Sequence, residues 1–157
     1  MTNALEIRNL VKTFGGLTAT DDLSFDVKEG QSVGLIGPNG AGKTTVFSQI
    51  MGEIKQTSGQ ISLFGKDLGN LPTAERIRLG VSRTYQIPRP FLDLSVVENI
   101  RVGLMPNSIW RMIIEGPSQD REAELALNVG FLEADFEKPA SDLSMGDLRK
   151  LELARTI

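Results

Sequence analysis

The sequence predicts an α/β fold with a β-rich first part and a helical second part. Apolar residues in the first part form short or alternating runs bounded by turn residues, as in strands, whereas after residue 95 they recur at helical spacing. Between a short apolar run and a predicted helix lies the stretch GPNGAGKTT, residues 37–45, with three glycines. This strand, glycine loop and helix define the α/β character of the first part.

The regular elements of the first part follow in order. We expect strands at 5–13, 23–27, 32–36 and 59–64, a turn at 28–30, helices at 44–51 and 73–79, and extended chain at 81–85. The run SVGLI, residues 32–36, has the continuous apolar composition of a buried parallel strand. Gly80 follows the second helix, where a glycine commonly ends a helix.

The second part is predicted to be helical. Its helices are expected at 96–104, 109–114, 121–129 and 145–157. Pro88 and Pro90 restrict the loop that precedes them, because each proline disfavours helical backbone in the residue before it. We therefore predict a boundary near Gln86, with a β-rich core at 1–85 and a helical lobe at 86–157.

Composition excludes several classes of protein. A chain of 157 residues suggests one domain or most of one, and a net charge of −3 gives no basic surface for nucleic acid. The absence of cysteine excludes disulfides, and the absence of histidine removes the commonest metal ligand and general base. No signal peptide or apolar stretch of about 18 residues is visible. We expect a cytosolic protein, or one that sits on a membrane through a partner.

The glycine loop matches the pattern G-x-x-x-x-G-K-[ST] between a strand and a helix. Gly37 and Gly42 allow the backbone N–H groups to point into one concavity at the start of a helix, where the dipole favours anions. Lys43 supplies a charge for the β- and γ-phosphates of a nucleotide, and the Thr44 hydroxyl is a ligand of the kind Mg²⁺ prefers. The loop predicts a nucleotide-binding site, and a chance glycine turn is the alternative.

A second motif, DLSMGDLRKLELARTI at 142–157, has two interpretations. Taken alone it is a helix start, in which Ser144 and Asp147 form a capping box. Taken with the glycine loop, LSMGD followed by AR resembles the signature motif of ABC (ATP-binding cassette) ATPases, commonly written LSGGQ. The opening VKTFGG and Gln86 also match that family, in the family's order. The stretch RTYQIPRPFLDLSVVENI resembles the ATPase subunits of branched-chain amino-acid importers.

This resemblance implies an α/β P-loop NTPase fold: an ABC nucleotide-binding domain with a mixed β core and an α-helical subdomain, its C-terminal part absent. The phosphates of ATP would be held by nine residues: Gly37, Pro38, Asn39, Gly40, Ala41, Gly42, Lys43, Thr44 and Thr45. Phe14 would stack on adenine; packing in the core is the alternative. Gln86 would reach the metal and the attacking water, with Lys43 as the other catalytic residue and Thr44 as a second ligand of Mg²⁺; a solvated loop glutamine is the alternative.

The resemblance also implies partners. Ser144 and Gly146 would bind the γ-phosphate of ATP held by a second ATPase subunit, identical or different, so that ATP joins the two chains. Arg89 and Phe91 lie where the family docks integral-membrane permease subunits; the apolar stretch at 109–114 is either such a surface or packing within the lobe. A substrate-binding protein would act through the permease, and the subunit would lie peripherally on the cytoplasmic side of the cell membrane. Asp147 replaces the family's usual glutamine and is expected to face its own helix.

The implied function is an ATP-hydrolysing subunit that energises an importer for branched-chain amino acids through ATP-driven dimerisation and hydrolysis. The family's metal-binding aspartate, catalytic glutamate and switch histidine follow the signature helix, and this chain has no counterpart of them. We therefore expect that the 157-residue chain does not turn over ATP, and that the strand at 32–36 has an unpaired edge. A nucleotide-binding module without hydrolysis and an ABC ATPase outside transport are the alternatives.

Overall fold

The chain forms two compact units, Met1–Val81 and Ser82–Ile157. In this computed structural model, residues 2–85, 87–104 and 119–156 are described. The division between the units falls a few residues before Gln86, and the domain boundary predicted there remains a prediction.

A four-stranded antiparallel sheet forms the first unit. Its strands are β1 (Asn3–Phe14), β2 (Leu17–Lys28), β3 (Ser58–Leu63) and β4 (Lys66–Asp67), in the spatial order β2-β1-β3-β4. The strands predicted at 5–13, 23–27 and 59–64 are confirmed. One face of the sheet buries a core of Ile7, Leu10, Met51, Ile61, Leu68 and Val81.

An irregularity in β1 explains why its alternation is only loose. Ile7 and Leu10 are both fully buried although three positions separate them, and the pairing with β2 shifts between these two residues. Asn9 between them has a φ angle of 47°, and its side chain donates to the Asp22 carboxylate over 2.7 Å. The extra residue of this bulge returns Leu10 to the core face.

The predicted strand at 32–36 is wrong. These residues belong to none of the strands in the described ranges, and Val33 and Ile36 expose 48% and 94% of their surface. A strand needs a neighbour for its backbone hydrogen bonds, and the described part of the chain provides none beside this run. Residues 81–85, predicted as extended, likewise contain no regular element.

Two helices of the first unit are confirmed, α1 (Lys43–Met51) and α2 (Thr73–Arg78). The Arg76 side chain of α2 is buried beneath the end of α1. Its Nη1 donates to the carbonyl oxygens of Gln49 and Ile50 over 2.6 and 2.9 Å, and its Nε donates to Leu71 over 2.9 Å. Arg76 thus donates to two carbonyl groups in the last turn of α1, where intrahelical donors run out; the Gln49 carbonyl also accepts from the Gly52 N–H over 3.1 Å.

In the described part of the second unit, three helices pack around one apolar core. They are α3 (Val96–Leu104), α4 (Gln119–Asn128) and α5 (Met145–Ala154), with short 3₁₀ turns at Glu133–Asp135 and Ala140–Asp142. The core comprises Val96, Ile100, Ala126, Phe131, Ala140, Leu151 and Ala154. The helices predicted at 96–104, 121–129 and 145–157 are confirmed, the last ending at Ala154. The helix predicted at 109–114 lies outside the described residues.

Polar residues fix the start of α3. The Ser95 N–H donates to the Glu98 carboxylate over 2.8 Å and the Glu98 N–H donates to the Ser95 hydroxyl over 3.3 Å, which is a complete capping box. Buried Asn99 binds the preceding loop, accepting from the Phe91 N–H and donating to the Phe91 carbonyl, each over 2.9 Å. The Ser95 and Glu98 pattern is visible in the sequence, whereas nothing local marks Asn99 as buried.

Arg76→Leu should lower the free energy of unfolding by about 2–4 kcal/mol, because a buried acceptor without a partner costs about 1–3 kcal/mol and the Ile50 and Leu71 carbonyls lose their donor, while the Gln49 carbonyl keeps the Gly52 N–H. Arg78→Leu removes the same charge from an exposed position of α2 and should change stability by less than about 0.5 kcal/mol. Urea unfolding of both variants checks this. Equal losses would contradict the role given to Arg76.

Candidate nucleotide-binding site

The glycine loop curls and runs directly into α1. The Ala41 N–H donates to the Pro38 carbonyl over 3.2 Å, which closes a turn inside the loop. Gly40 and Gly42 have φ angles of 85° and 80°, a region that glycine adopts readily and other residues avoid. Two positions of the loop, Gly40 and Gly42, therefore have a backbone conformation that favours glycine.

Gly42 lies against the backbone of β2. A Cβ atom at this position would be 2.0 Å from the carbonyl oxygen of Ala19, so any side chain would force the strand and the helix apart. Gly42 is also the N-cap of α1, and it offers no side chain to the N–H groups of the first turn. The first turn contains no acidic residue. This helix start can therefore bind an anion without competition from a neighbouring carboxylate.

Lys43 brings a positive charge back over the loop. Its Nζ donates to the carbonyl oxygens of Gly37 and Pro38, each over 2.6 Å. The ammonium group thus lies beside the first two residues of the loop, although Lys43 itself begins the helix. Thr44 has an exposed side chain and Thr45 a half-buried one. Backbone donors, a cation and a hydroxyl are the chemical set that a nucleotide phosphate with Mg²⁺ requires.

Helix α1 is fixed to β2 by a buried side-chain contact as well. Gln49 Nε2 donates to the Thr20 hydroxyl over 3.0 Å and to the Thr45 carbonyl over 3.3 Å. Both Gln49 and Thr20 are buried. Sequence reasoning missed this pair; the one available signal is that Gln49 stands three positions after Val46, which is buried on the same helix.

Phe14 ends β1 and exposes 45% of its surface. The alternative of a core-packed aromatic is therefore wrong. Lys12 Nζ lies 4.8 Å from the centroid of the Phe14 ring, within the range of a cation–π contact. An exposed aromatic face of this kind can stack on a planar base.

Ser144 is the N-cap of α5, which confirms one half of the predicted capping box; the other half is wrong, because the Asp147 carboxylate accepts from the Ser144 hydroxyl rather than from the Ser144 N–H. The Ser144 hydroxyl accepts from the Asp147 N–H over 3.2 Å and donates to the Asp147 carboxylate over 2.6 Å. Lys150 Nζ donates to the other oxygen of that carboxylate over 2.8 Å. The expectation that Asp147 faces its own helix is confirmed. Gly146 lies in the first turn of α5 and has no side chain that could cover the backbone N–H groups there.

Residues 20–157 match the ABC transporter family. The chain belongs to that family. Its curated relatives include the high-affinity branched-chain amino acid transport ATP-binding protein LivG of Salmonella typhimurium, which is 39% identical over 96% of this chain. LivG of Escherichia coli is 37% identical and BraF of Pseudomonas aeruginosa is 36% identical, each over 96% of this chain. The chain spans about 63% of the length of each of these relatives. The predicted resemblance to branched-chain amino-acid importer ATPases is confirmed.

Solved structures of ABC transporter cassettes share the fold. A nucleotide-free ATP-binding cassette superposes with a TM-score of 0.82 at 28% identity, covering 99% of this chain and 64% of that one. A cassette in its ADP conformation gives a TM-score of 0.82 at 28% identity, covering 99% and 65% of the two chains. The predicted α/β fold of an ABC ATPase nucleotide-binding domain is confirmed.

The region of the predicted ABC Q-loop is described except for Gln86 itself, which lies outside the described residues. The preceding Tyr85 N–H donates to the buried carboxylate of Glu152 in α5 over 2.9 Å. The predicted role of Gln86 toward metal and water stays a prediction.

Arg155 supports the loop that holds the predicted permease-docking residues. Its guanidinium lies 4.9 Å from the centroid of the Phe91 ring, and its Nη1 donates to the Arg89 carbonyl over 3.0 Å. The Phe91 side chain remains half-exposed. None of the helices in the described ranges has the length and apolar character needed to cross a membrane.

Gly42→Ala should destabilise the protein by about 2 kcal/mol more than Gly40→Ala. Both positions have a positive φ angle, where alanine costs about 1–2 kcal/mol. Only Gly42 adds a clash with the Ala19 carbonyl, since a Cβ at Gly40 would meet nothing within 4 Å. Urea unfolding of the two variants tests the difference. Equal destabilisation by the two variants would contradict this prediction, because it would mean that β2 and α1 can move apart without a loss of free energy of unfolding.

Asp147→Asn should lower the thermal unfolding midpoint near pH 7, and the loss should shrink as the pH falls below about 4. Hydrogen bonds from Lys150 and then from Ser144 lower the pKa of the Asp147 carboxyl. A carboxyl with a lowered pKa stabilises the fold above its unfolded pKa, and this contribution is lost as the pH falls through the folded value. Unfolding scans from pH 7 to pH 3 check the trend. A midpoint difference that stays constant over this range would contradict it.

Proposed function

We propose that this chain binds ATP at the glycine loop and forms part of the ATP-hydrolysing subunit of an importer for branched-chain amino acids. The observation that carries the proposal is the ammonium of Lys43, held over Gly37 and Pro38 at the uncapped start of α1. The transport assignment is supported by relatives at 36–39% identity that are named branched-chain amino acid transport ATP-binding proteins. These names favour transport over an ABC ATPase with another role.

The phosphates of ATP would bind along residues 37–45. The N–H groups of the loop and of the first turn of α1 would donate to phosphate oxygens, while Lys43 compensates their charge. Phe14 would stack on the adenine ring through its exposed face. Because stacking is tolerant of base identity, we expect weak discrimination between adenine and guanine nucleotides.

The residues present fit a magnesium ion that is held mainly by the nucleotide. The described residues contain no group of three or more carboxylate, thiol or imidazole side chains able to hold a metal. Mg²⁺ commonly uses one or two protein ligands together with phosphate oxygens. The exposed hydroxyl of Thr44 would supply one ligand and Gln86 another. The bound ion would neutralise charge that develops on the phosphates.

Hydrolysis would depend on positioning and electrostatics. Lys43 would stabilise charge on the β- and γ-phosphates, and Gln86 would orient the attacking water. Residues that the family supplies after the signature helix would complete the reaction in the whole subunit. We therefore propose hydrolysis for the whole subunit.

The start of α5 would contact ATP on a second ATPase subunit, identical or different. Ser144 and Gly146 would donate to its γ-phosphate at a helix N-terminus, where the dipole favours an anion. The nearby Asp147 carboxylate opposes such binding, but its hydrogen bond to Lys150 compensates its charge. ATP would then join two subunits, and hydrolysis would release them.

Arg89 and Phe91 are our candidates for contact with integral-membrane permease subunits. Phe91 offers apolar surface in a loop that Asn99 and Arg155 support. The apolar stretch at 109–114 is a second candidate from the sequence, outside the described residues. We propose a peripheral position on the cytoplasmic side of the membrane. A substrate-binding protein would communicate with this subunit only through the permease.

Lys43→Ala should abolish measurable ATP binding, because the backbone donors remain while the countercharge is lost. In the assembled transporter we expect ATPase activity to fall at least about a hundredfold, or about 2.7 kcal/mol of transition-state stabilisation. Equilibrium binding of labelled ATP and a phosphate-release assay measure the two effects. Lys28→Ala, at the exposed end of β2, is the control and should change neither. Unchanged ATP binding by Lys43→Ala would refute the phosphate role.

A further inference from the structure

The side chain of Lys12 connects the exposed ring of Phe14 to a different part of the first unit. Its Nζ lies 4.8 Å from the Phe14 ring centroid and also donates to the carbonyl oxygen of Lys55 over 2.8 Å. Lys55 belongs to the segment between α1 and β3. The ammonium is therefore held by two contacts rather than moving freely in solvent.

The same segment is joined to the end of β1 by two further bonds. The Thr13 N–H donates to the Thr57 hydroxyl over 3.0 Å, and the Thr57 N–H donates to the Val11 carbonyl over 2.9 Å. These bonds fix the backbone on both sides of Lys12. With the strand and the Lys55 carbonyl both fixed, the ammonium has a defined position over one face of the ring.

We infer that Lys12 is a positioning residue for the base of a bound nucleotide; this inference rests on the proposed ATP binding. Lys12 covers one face of Phe14, so the base stacks on the other face. A cation over one face of an aromatic ring draws electron density toward itself, which makes the opposite face a better stacking surface for an electron-rich purine. Lys12 thereby also limits rotation of the ring.

A direct attraction between Lys12 and the phosphates is the competing explanation. The two explanations predict different results for inorganic triphosphate, which has the phosphates of ATP but no base. An ammonium that acts through Phe14 affects ATP alone, whereas one that attracts phosphate affects ATP and inorganic triphosphate equally. The two ligands carry similar charge and therefore separate the explanations.

The experiment measures equilibrium binding of ATP and of inorganic triphosphate to the purified chain and its variants. Lys12→Met should weaken ATP binding about threefold to tenfold and leave triphosphate binding unchanged. Lys12→Arg, which keeps a cation and hydrogen-bond donors, should restore ATP binding. Lys12→Gln keeps a donor for the Lys55 carbonyl but no charge, and should behave like Lys12→Met. Lys66→Met removes a lysine from β4, two strands away, and should have no effect.

Several results would overturn the inference. Equal weakening of both ligands by Lys12→Met would assign Lys12 to the phosphates, and unchanged ATP binding would remove it from the site. Full ATP binding by Lys12→Gln would mean that the hydrogen bond to the Lys55 carbonyl positions the base and that the positive charge of Lys12 is not needed. If the unsubstituted chain binds neither ligand, the proposed function fails and this inference with it. If it binds both ligands equally tightly, phosphate binding stands while the role of Phe14 and Lys12 fails.

Discussion

The contact between Gly42 and the Ala19 carbonyl is the constraint on which the candidate site depends. A missing Cβ lets the first turn of α1 touch the backbone of β2, and the next residue along β2, Thr20, binds Gln49 two turns later on the same helix. The far end of α1 is held by Arg76. A helix fixed at its start, middle and end gives Lys43 a defined origin, so that its ammonium reaches the loop carbonyls.

The starts of α1 and α5 differ in their electrostatics. At α1 the N-cap is a glycine and no acidic residue lies in the first turn, so an anion meets free N–H groups. At α5 the Ser144 hydroxyl already donates its one proton to Asp147, which is in turn bound by Lys150. An anion can approach the backbone of α5 directly, but the Ser144 hydroxyl can donate to it only after leaving Asp147. Anion binding by the Ser144 side chain would therefore require a rearrangement that the start of α1 does not need.

Sequence reasoning succeeded where the physical cause is local. The glycine loop follows from φ angles that glycine alone adopts readily, the capping at Ser144 from a three-residue spacing, and α3 from its apolar periodicity. It failed at 32–36, because apolar composition does not supply a paired neighbour and a strand requires one. The sequence also did not predict which polar side chains are buried.

Two of the missed polar residues share one property: each binds carbonyl groups that are distant in sequence or that belong to an irregular loop. Arg76 serves carbonyls about 26 residues away, and Asn99 serves the loop before its own helix. Neither partner can be named until the tertiary structure is known. The sequence could not predict whether Phe14 is exposed for the same reason. An aromatic side chain on a strand is buried or exposed depending on which residues pack beside it.

One short segment connects α1, which carries Lys43, to the Lys12 side chain beside the Phe14 ring. The segment between α1 and β3 follows the helix that carries Lys43, and its Lys55 carbonyl binds Lys12 beside the ring of Phe14. Arg76 holds the Ile50 carbonyl where this segment begins, and Thr57 binds β1 where it ends. Because both ends of the segment are fixed, a displacement of α1 would be transmitted to the Lys12 ammonium. The spacing between the exposed ring of Phe14 and the glycine loop is thus held by side-chain–backbone hydrogen bonds within the first unit.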